Sequence, residues 1–450
     1  MGSQARPGEI YIIGMVVVVA IMLAVGSAAA QEGMPPPPAP AAVAPVSKVD
    51  TGDTAWMLTS SALVLAMIMP GLALFYGGLV RSKNVLGTIT HSLIILCVVS
   101  LIWVLWGYSL AFGPDVGGFI GSLEWFGLSG VGGEPHAVYG PTIPHQVFML
   151  FQLMFAAITP ALITGAFAER MKFSALLLFS ALWVTVIYCP LAHWIWGQGW
   201  LAKMGALDFA GGAVVHISSG WAALVCALVL GKRQGYGTAH LVPHNLPMTL
   251  LGAGLLWFGW FGFNAGSALG ANALAASAFL ATHTAAAAGG VSWMMAEWLH
   301  RGKPTSLGIA SGAVAGLATV TPAAGFVGLF SALFIGLVAG AACYGAVVWK
   351  GRLGYDDSLD VVGIHGVGGV LGILATGLFA SIGAQGLFFG KPGQFGVQLL
   401  TAGVSLVFAF LGTLIILKLV DWTVGLRVAA DEEERGLDIS QHEERAYSQM

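Results

Sequence analysis

Eleven apolar stretches of about twenty residues follow one another between residues 55 and 425, and that repetition decides what this chain can become. A helix rises about 1.5 Å per residue, so such a run matches the roughly 30 Å hydrocarbon core of a bilayer. Inside lipid every backbone N–H and C=O needs an internal partner, which leaves helices as the only answer for runs this long. The runs fall at 55–79, 87–112, 145–168, 173–195, 209–231, 247–267, 275–299, 305–322, 325–349, 360–383 and 397–425. They predict an all-α membrane protein with eleven transmembrane helices. Composition agrees where it matters: 9% of the 450 residues are charged, against about a quarter in soluble globular chains. So few charges cannot coat a water-facing surface, which excludes an ordinary soluble enzyme, and there is no basic face for nucleic acid. The 64 glycines follow no Gly-X-Y period, which excludes collagen, and they suit helices that approach closely.

Residues 1–30 read as a secretory signal. Arg6 stands in a short polar start, an apolar stretch runs from Tyr11 to Gly26, and Ala28-Ala29-Ala30 offers a small-residue cleavage site before Gln31. Glu9 keeps an uncleaved first span as the rival reading. Residues 31–50, with Pro35 to Pro38, Pro40 and Pro45, form a stiff external linker. The eleven-helix domain is 51–426, and 427–450 is a charged tail that is either a solvated end or a docking surface. Arg81, Lys83, Arg170, Lys172, Lys232, Arg233, Arg301, Lys303, Lys350 and Arg352 all follow odd-numbered spans, while the opposite side offers only Lys48, Lys203 and Lys391. The positive-inside rule then places the mature N-terminus outside and the C-terminus inside. The four cysteines, Cys97, Cys189, Cys226 and Cys343, sit in apolar runs without a CxxC and read as small buried hydrophobes.

A duplication is visible. Span five opens at Asp208 and reaches His216 within "DFAGGAVVHISSG"; span ten opens at Asp360 and reaches His365 within "DVVGIHGVGG". Five spans separate them, an odd number, which inverts topology and predicts two inverted five-helix repeats, plus a last helix, with a site between the halves. Ionisable groups deep in membrane helices default to functional candidates, although a lone histidine is more often one that simply hydrogen-bonds a neighbouring helix. Here two stand at matched positions beside Gly212 and Gly220, and beside Gly366, Gly368 and Gly369. Small residues let the backbones close in until both imidazoles meet. Touching imidazoles share one proton, because desolvation and repulsion oppose a second. The neutral pair then offers a donor and an acceptor, suited to a small polar solute such as ammonia or water. Zinc would want three or four ligands and no third converges, so no metal is expected.

Aromatic residues form a second constellation. Trp194, Trp196 and Trp200 cluster at the outer end of span four, where Trp194 and Trp200 suit an interfacial belt. Phe151 and Phe155 lie one turn apart, as do Phe263 and Ser267 in "GWFGFNAGSA". Taken singly, each phenylalanine reads as core packing. Together, an aromatic wall with one hydroxyl near an outer mouth would hold a small cation by cation–π attraction and a hydrogen bond. No nucleophile motif, Walker loop or dinucleotide fingerprint is present.

The segments "MFAAITPALITGAFAER", "GALDFAGGAVVHISSG", "PHNLPM", "GWFGFNAGSA", "TPAAGFVG", "DVVGIHGVGG" and "DWTVGLRV", in order from about residue 51 onward, resemble the ammonium transporter family, which includes methylammonium permeases and Rhesus proteins. The resemblance implies a homotrimer with one pore per subunit, located in the bacterial inner membrane, needing no cofactor and catalysing no reaction. It implies an outer ammonium site of Phe155, Trp196 and Ser267, a gate of Phe155 and Phe263, and a hydrophobic pore with twin histidines, His216 and His365. Asp208 resembles the family's buried aspartate near the outer mouth; Trp260, Thr321 and Asp360 are supporting positions. The tail resembles the segment that meets PII-type nitrogen signal proteins, departing from the family pattern where Glu443 replaces a glycine. The implied mechanism dehydrates ammonium into the outer site, removes its proton near the phenylalanines, and passes ammonia along the histidines, with or without the proton. An ammonium sensor acting through the tail and a neutral gas channel are the alternatives.

Overall fold

The computed structural model describes residues 48–239 and 241–447; the signal segment and most of the proline-rich linker lie outside the described residues. Among the described residues, ten helices are long and apolar enough to cross a membrane. With one shorter apolar helix among them they run, in chain order, α1 (Thr51–Leu79), α2 (Ser82–Phe112), α3 (His145–Phe167), α4 (Phe173–Lys203), α5 (Gly212–Leu230), α6 (Leu246–Gly266), α7 (Ala273–Arg301), α8 (Ser306–Val320), α9 (Leu329–Leu353), α10 (Val362–Phe379) and α11 (Pro392–Val424). Helix α8 is the short one, at 15 residues. The sequence suggested a run to 322, but Pro322 has no N–H to continue the ladder. Helix starts are capped as their sequences ask: Asn245, Asn272 and Thr305 accept the amides of Met248, Ala275 and Gly308.

Helix α3 is the axis of the bundle and is buried along nearly its whole length. Two antiparallel hairpins between α2 and α3, β1 (Asp115–Val116) with β2 (Ile120–Gly121) and β3 (Pro135–His136) with β4 (Gly140–Pro144), mark one end of the molecule, called here the hairpin end. Cys97 is exposed, unlike the other three cysteines, because it stands on the outward face of α2.

The opposite end carries the tail, which is not a solvated arm. Residues 426–428 pair with 170–172 through Lys172 N–H to Leu426 O and Val428 N–H to Arg170 O. Two short helices follow, α12 (Ala430–Arg435) and α13 (Leu437–His442). The buried Glu433 accepts Arg427 at 2.7 Å and the Gln234 amide at 2.7 Å. Asp438 accepts the Gly87 amide at the start of α2, and Asn84 accepts the Leu437 amide. Glu443 closes α13 with φ 55°, a left-handed conformation that a glycine at that position would adopt without strain. Beneath the tail, Glu169 accepts Arg81 at 2.7 Å and Arg233 at 3.4 Å, while Arg233 forks onto Asp356. Burial acts to raise the Glu169 carboxyl, but both guanidiniums outweigh it and hold the group below the usual carboxylate range.

Candidate functional site

Helices α5 and α10 cross at their glycines. A Cβ placed on Gly220 would stand 2.1 Å from the Gly366 nitrogen, and one on Gly369 would stand 2.8 Å from the Ile217 nitrogen. No other residue type allows backbones this close. The two contacts mirror each other, because Gly220 and Gly369, and Ile217 and Gly366, share the 149-residue separation of His216 and His365. The crossing brings the two imidazoles face to face, Nδ1 to Nδ1 at 3.1 Å, with ring centroids 5.1 Å apart and planes 22° apart. One nitrogen donates and the other accepts, so the pair is bonded with a single hydrogen between the rings. His216 Nε2 is buried and has no hydrogen-bond partner among the described residues.

Both histidines stand in π-helical turns, Gly212–Ile217 and Val362–Gly366. Such turns cluster at functional sites because they re-aim side chains, and the apolar periodicity of the sequence gives no sign of them. The carboxylate that opens α5 is Asp208. Its Oδ1 accepts the Gly211 and Gly212 amides at 2.9 and 2.6 Å, and its Oδ2 accepts Ala213 and Val214 at 2.8 and 3.1 Å. Burial pushes this carboxyl up; four converging amides leave neither oxygen free to hold a proton.

The equivalent residue in α10 differs from the one the sequence suggested. Asp357, not Asp360, accepts the first amide of the helix, from Val362 at 2.8 Å. The spacing shows why: Asp357 precedes His365 by the same eight residues that separate Asp208 from His216. Asp360 falls where Gly211 falls in the first half, and both have positive φ, 64° and 115°. It pairs with Lys350 instead. The equal spacing was the signal available in the sequence, and the shorter aspartate-to-histidine match obscured it.

Toward the hairpin end an aromatic column continues from the imidazoles. Trp260 stacks on His216 at 5.6 Å and donates its indole N–H to Thr321 at 2.9 Å. Phe263 lies 6.1 Å from His216 and stacks on Phe155 at 4.1 Å and 23°. Phe155 meets Trp196 edge-on at 5.9 Å. Trp196, partly exposed at the 196–199 interruption of α4, donates to the Asp208 carbonyl at 2.7 Å. Ser267, also partly exposed, donates to the Phe263 carbonyl one turn back. Helices α3, α4, α5, α6 and α10 thus assemble one file of rings from a half-open mouth to a buried imidazole pair. Phe155, Phe263, His216, His365, Trp196 and Trp260 all fall in it. Trp194 stands apart, packed on Phe408 at 4.6 Å.

A multi-spanning membrane protein with a buried file of this kind has the build of a conduit. Residues 55–447 match the Ammonium Transporter Family, and the chain belongs to that family. It is 54% identical over 402 residues to the ammonium transporter of Bacillus subtilis, covering 88% of this chain and 98% of that protein. It is 52% identical over 400 residues to ammonium transporter Amt1 of Archaeoglobus fulgidus, covering 88% and 99%. The crystal structure of Saccharomyces cerevisiae Mep2 superposes with a TM-score of 0.80 at 40% identity, covering 86% of this chain and 89% of that one.

Proposed function

We propose that this ammonium transporter recruits NH4+ between Trp196, Phe155 and Ser267, passes its proton beside the Phe155–Phe263 pair either to water at the outer mouth or onward through the imidazole pair, and conducts NH3 past His216 and His365. The observation that carries the proposal is His216 Nε2, a buried polar nitrogen without a protein partner at the end of an otherwise apolar file. A buried polar atom is costly unless something bonds it, and a small solute with both N–H donors and a lone pair meets either tautomer of the pair. A bare cation is served poorly there, since the imidazole pair offers no charge. At the mouth the requirement reverses: an aromatic face with a hydroxyl and a nearby carboxylate favours the cation over the gas. A pure gas channel would have no use for that mouth.

The architecture in this proposal is eleven membrane helices, α1–α5 and α6–α10 forming inverted halves with α11 added. The 149-residue offset shared by the capping aspartates, the left-handed residues, the histidines and the crossing glycines supports it. The hairpin end is outside and the tail end, rimmed by Arg81, Arg170, Arg233 and Lys350, is inside, in the bacterial inner membrane. Three copies assemble, and a PII-type protein docks at the inner face against the tail. Ammonium pulses on proteoliposomes adsorbed to a solid-supported membrane test the scheme. Uptake that saturates with ammonium is expected, accompanied by a transient current where the proton crosses as well. Ammonia uptake with neither current nor saturation would refute cation recruitment and leave the gas channel.

A further inference from the structure

We infer that Gln398 of α11, with Gln394 one turn before it, is a positioning residue for the outer cation site. The inference rests on the proposal that Trp196 belongs to that site. Helix α11 lies outside the two five-helix halves and contributes no side chain to the file of rings. Yet Gln398 is fully buried, and its amide grips both backbone groups of one residue: Oε1 accepts the Leu207 N–H at 2.8 Å and Nε2 donates to the Leu207 carbonyl at 2.6 Å. Gln394, also buried, donates to the Gly205 carbonyl at 2.9 Å.

This reciprocal pairing imitates a β-ladder step, and only a primary amide of this length supplies both a donor and an acceptor at that reach. The gripped residue immediately precedes Asp208. That aspartate does two things at once: its carboxylate caps α5 with four amides and its carbonyl receives the Trp196 indole. On the far side the segment is fixed again, by the Phe209 amide donating to the Pro322 carbonyl at 3.1 Å. Beyond Gly205 and Ala206, whose amides close the turn onto the Ala202 and Leu201 carbonyls, residues 207–209 are therefore an irregular strap without helical hydrogen bonds, set between α11 and the turn after α8. What Gln398 fixes is the height of the Asp208 carbonyl, and with it the tilt of the Trp196 ring at the mouth. Irregular backbone at membrane depth persists only where protein groups satisfy it, and the two glutamines are the groups that do so from α11.

The test is a mutant cycle on ammonium and methylammonium transport by the full chain in proteoliposomes, with Gln398→Met as the first perturbation. Methionine keeps the length and bulk of glutamine and removes both hydrogen bonds. The half-saturating ammonium concentration should rise roughly three- to tenfold with the maximal rate held. Gln394→Met should move it in the same direction by less. Thr413→Val on the same helix, which removes the buried hydrogen bond from Trp183, should leave it unmoved although it too costs stability. In the Trp196→Leu background the Gln398→Met effect should disappear, because a positioning residue has nothing left to position. An equal rise in both backgrounds overturns the inference, as does a rise with Thr413→Val of the same size, or no rise with Gln398→Met. If Gln398→Met does not fold, Gln394→Met in both backgrounds decides in the same way. Should Trp196→Leu alone leave half-saturation unchanged, the outer-site proposal itself falls and the inference with it, and that arm tells the two failures apart.

Discussion

Gly220 and Gly366 face each other across the crossing of α5 and α10, yet adding one methyl group to each should have opposite outcomes. A Cβ on Gly220 would lie 2.1 Å from the Gly366 nitrogen and 2.2 Å from its Cα, both backbone atoms that cannot rotate away. Ordinary carbon contacts begin near 3.5 Å, so Gly220→Ala must separate the helices by more than about 1 Å at this point. The imidazole nitrogens, 3.1 Å apart, would then move beyond the roughly 3.2 Å reach of a hydrogen bond. Overpacking of this kind costs about 1–3 kcal/mol, and stranding two buried ring nitrogens adds about 1–3 kcal/mol more. A Cβ on Gly366, by contrast, would come no closer than 3.4 Å to any atom of Gly220. Gly366→Ala should therefore fold as the parent does, with some gain from the lower backbone entropy of alanine in a helix. Gly369→Ala, whose nearest neighbours are at 2.8, 2.9 and 3.0 Å, should fall between them. The assay is thermal unfolding of the purified protein alongside ammonium and potassium currents in proteoliposomes. Gly220→Ala should unfold earlier and admit potassium, while Gly366→Ala should do neither. Equal behaviour of the two alanine variants, or a stable and selective Gly220→Ala, would refute the claim that this crossing sets the imidazole contact.

Four further outcomes are expected. Ser267→Ala with Trp196→Leu should raise half-saturation for methylammonium modestly at each step, since an exposed cation–π contact contributes about 0.5–1 kcal/mol; an unchanged concentration dependence would point to the gas channel. His216→Ala and His365→Ala should alter selectivity against potassium and combine non-additively, with aspartate at either position preserving flux; single variants that conduct ammonium normally and exclude potassium would make the pair structural. Burial raises the Asp357 carboxyl to about 6, Lys350 opposing, so the folded state holds this proton more tightly than the unfolded one. Its contribution to stability must then be greatest below the unfolded value near 3.8 and fall as pH rises through about 6, by up to about 3 kcal/mol; Asp357→Asn should flatten that part of a melting-temperature profile, and an unaltered profile would show that another group titrates there. A PII-type protein should be retained by membranes carrying the full chain and lost on truncation after Arg427; retention after truncation would move the contact to the basic loops.

Period and length sufficed to find the helices, because bilayer thickness imposes both. Nothing in that periodicity marks the π-helical turns that aim His216 and His365, since one extra residue in a turn leaves an apolar run apolar. The meeting of the histidines was legible because glycines flank each of them and a Cβ is what would keep the helices apart. Asp357 was legible in principle through its eight-residue spacing to His365, but Asp360 stood nearer the apolar run. Gln398 was not legible: a glutamine at the start of a membrane helix reads as interfacial, and only the path of residues 205–209 shows what it holds. The tail was left open for a different reason. Its charges suit solvent equally well, and their burial depends on Arg427 reaching the Leu230 and Lys232 carbonyls from far along the chain.

The two capping aspartates share the 149-residue offset of the histidines, and what surrounds them is unequal. At the tail end Glu169, Asp356 and Asp360 pair with Arg81, Arg233 and Lys350, and Arg170 and Lys350 reach the main-chain carbonyls of Asp356 and Asp357. At the hairpin end the other carboxylate nearby, Asp115, is taken by Lys203 and His193, and the first of these pairs helps hold Asp115 down at about 2 with the His193 bond the larger cause. The Asp208 carboxylate has no basic side chain bonded to it among the described residues; its partners are backbone amides, whose partial charges balance it only in part. In the proposed scheme an approaching cation is attracted at the mouth where Trp196 and Phe155 stand, and meets a rim of ion pairs at the other end. Between the two lies an imidazole pair with a single hydrogen shared across it. On that proposal a charge drawn in at one end and unsupported in the middle parts from its proton on the way, and the unequal surroundings of the two aspartates would give the path an entrance and an exit.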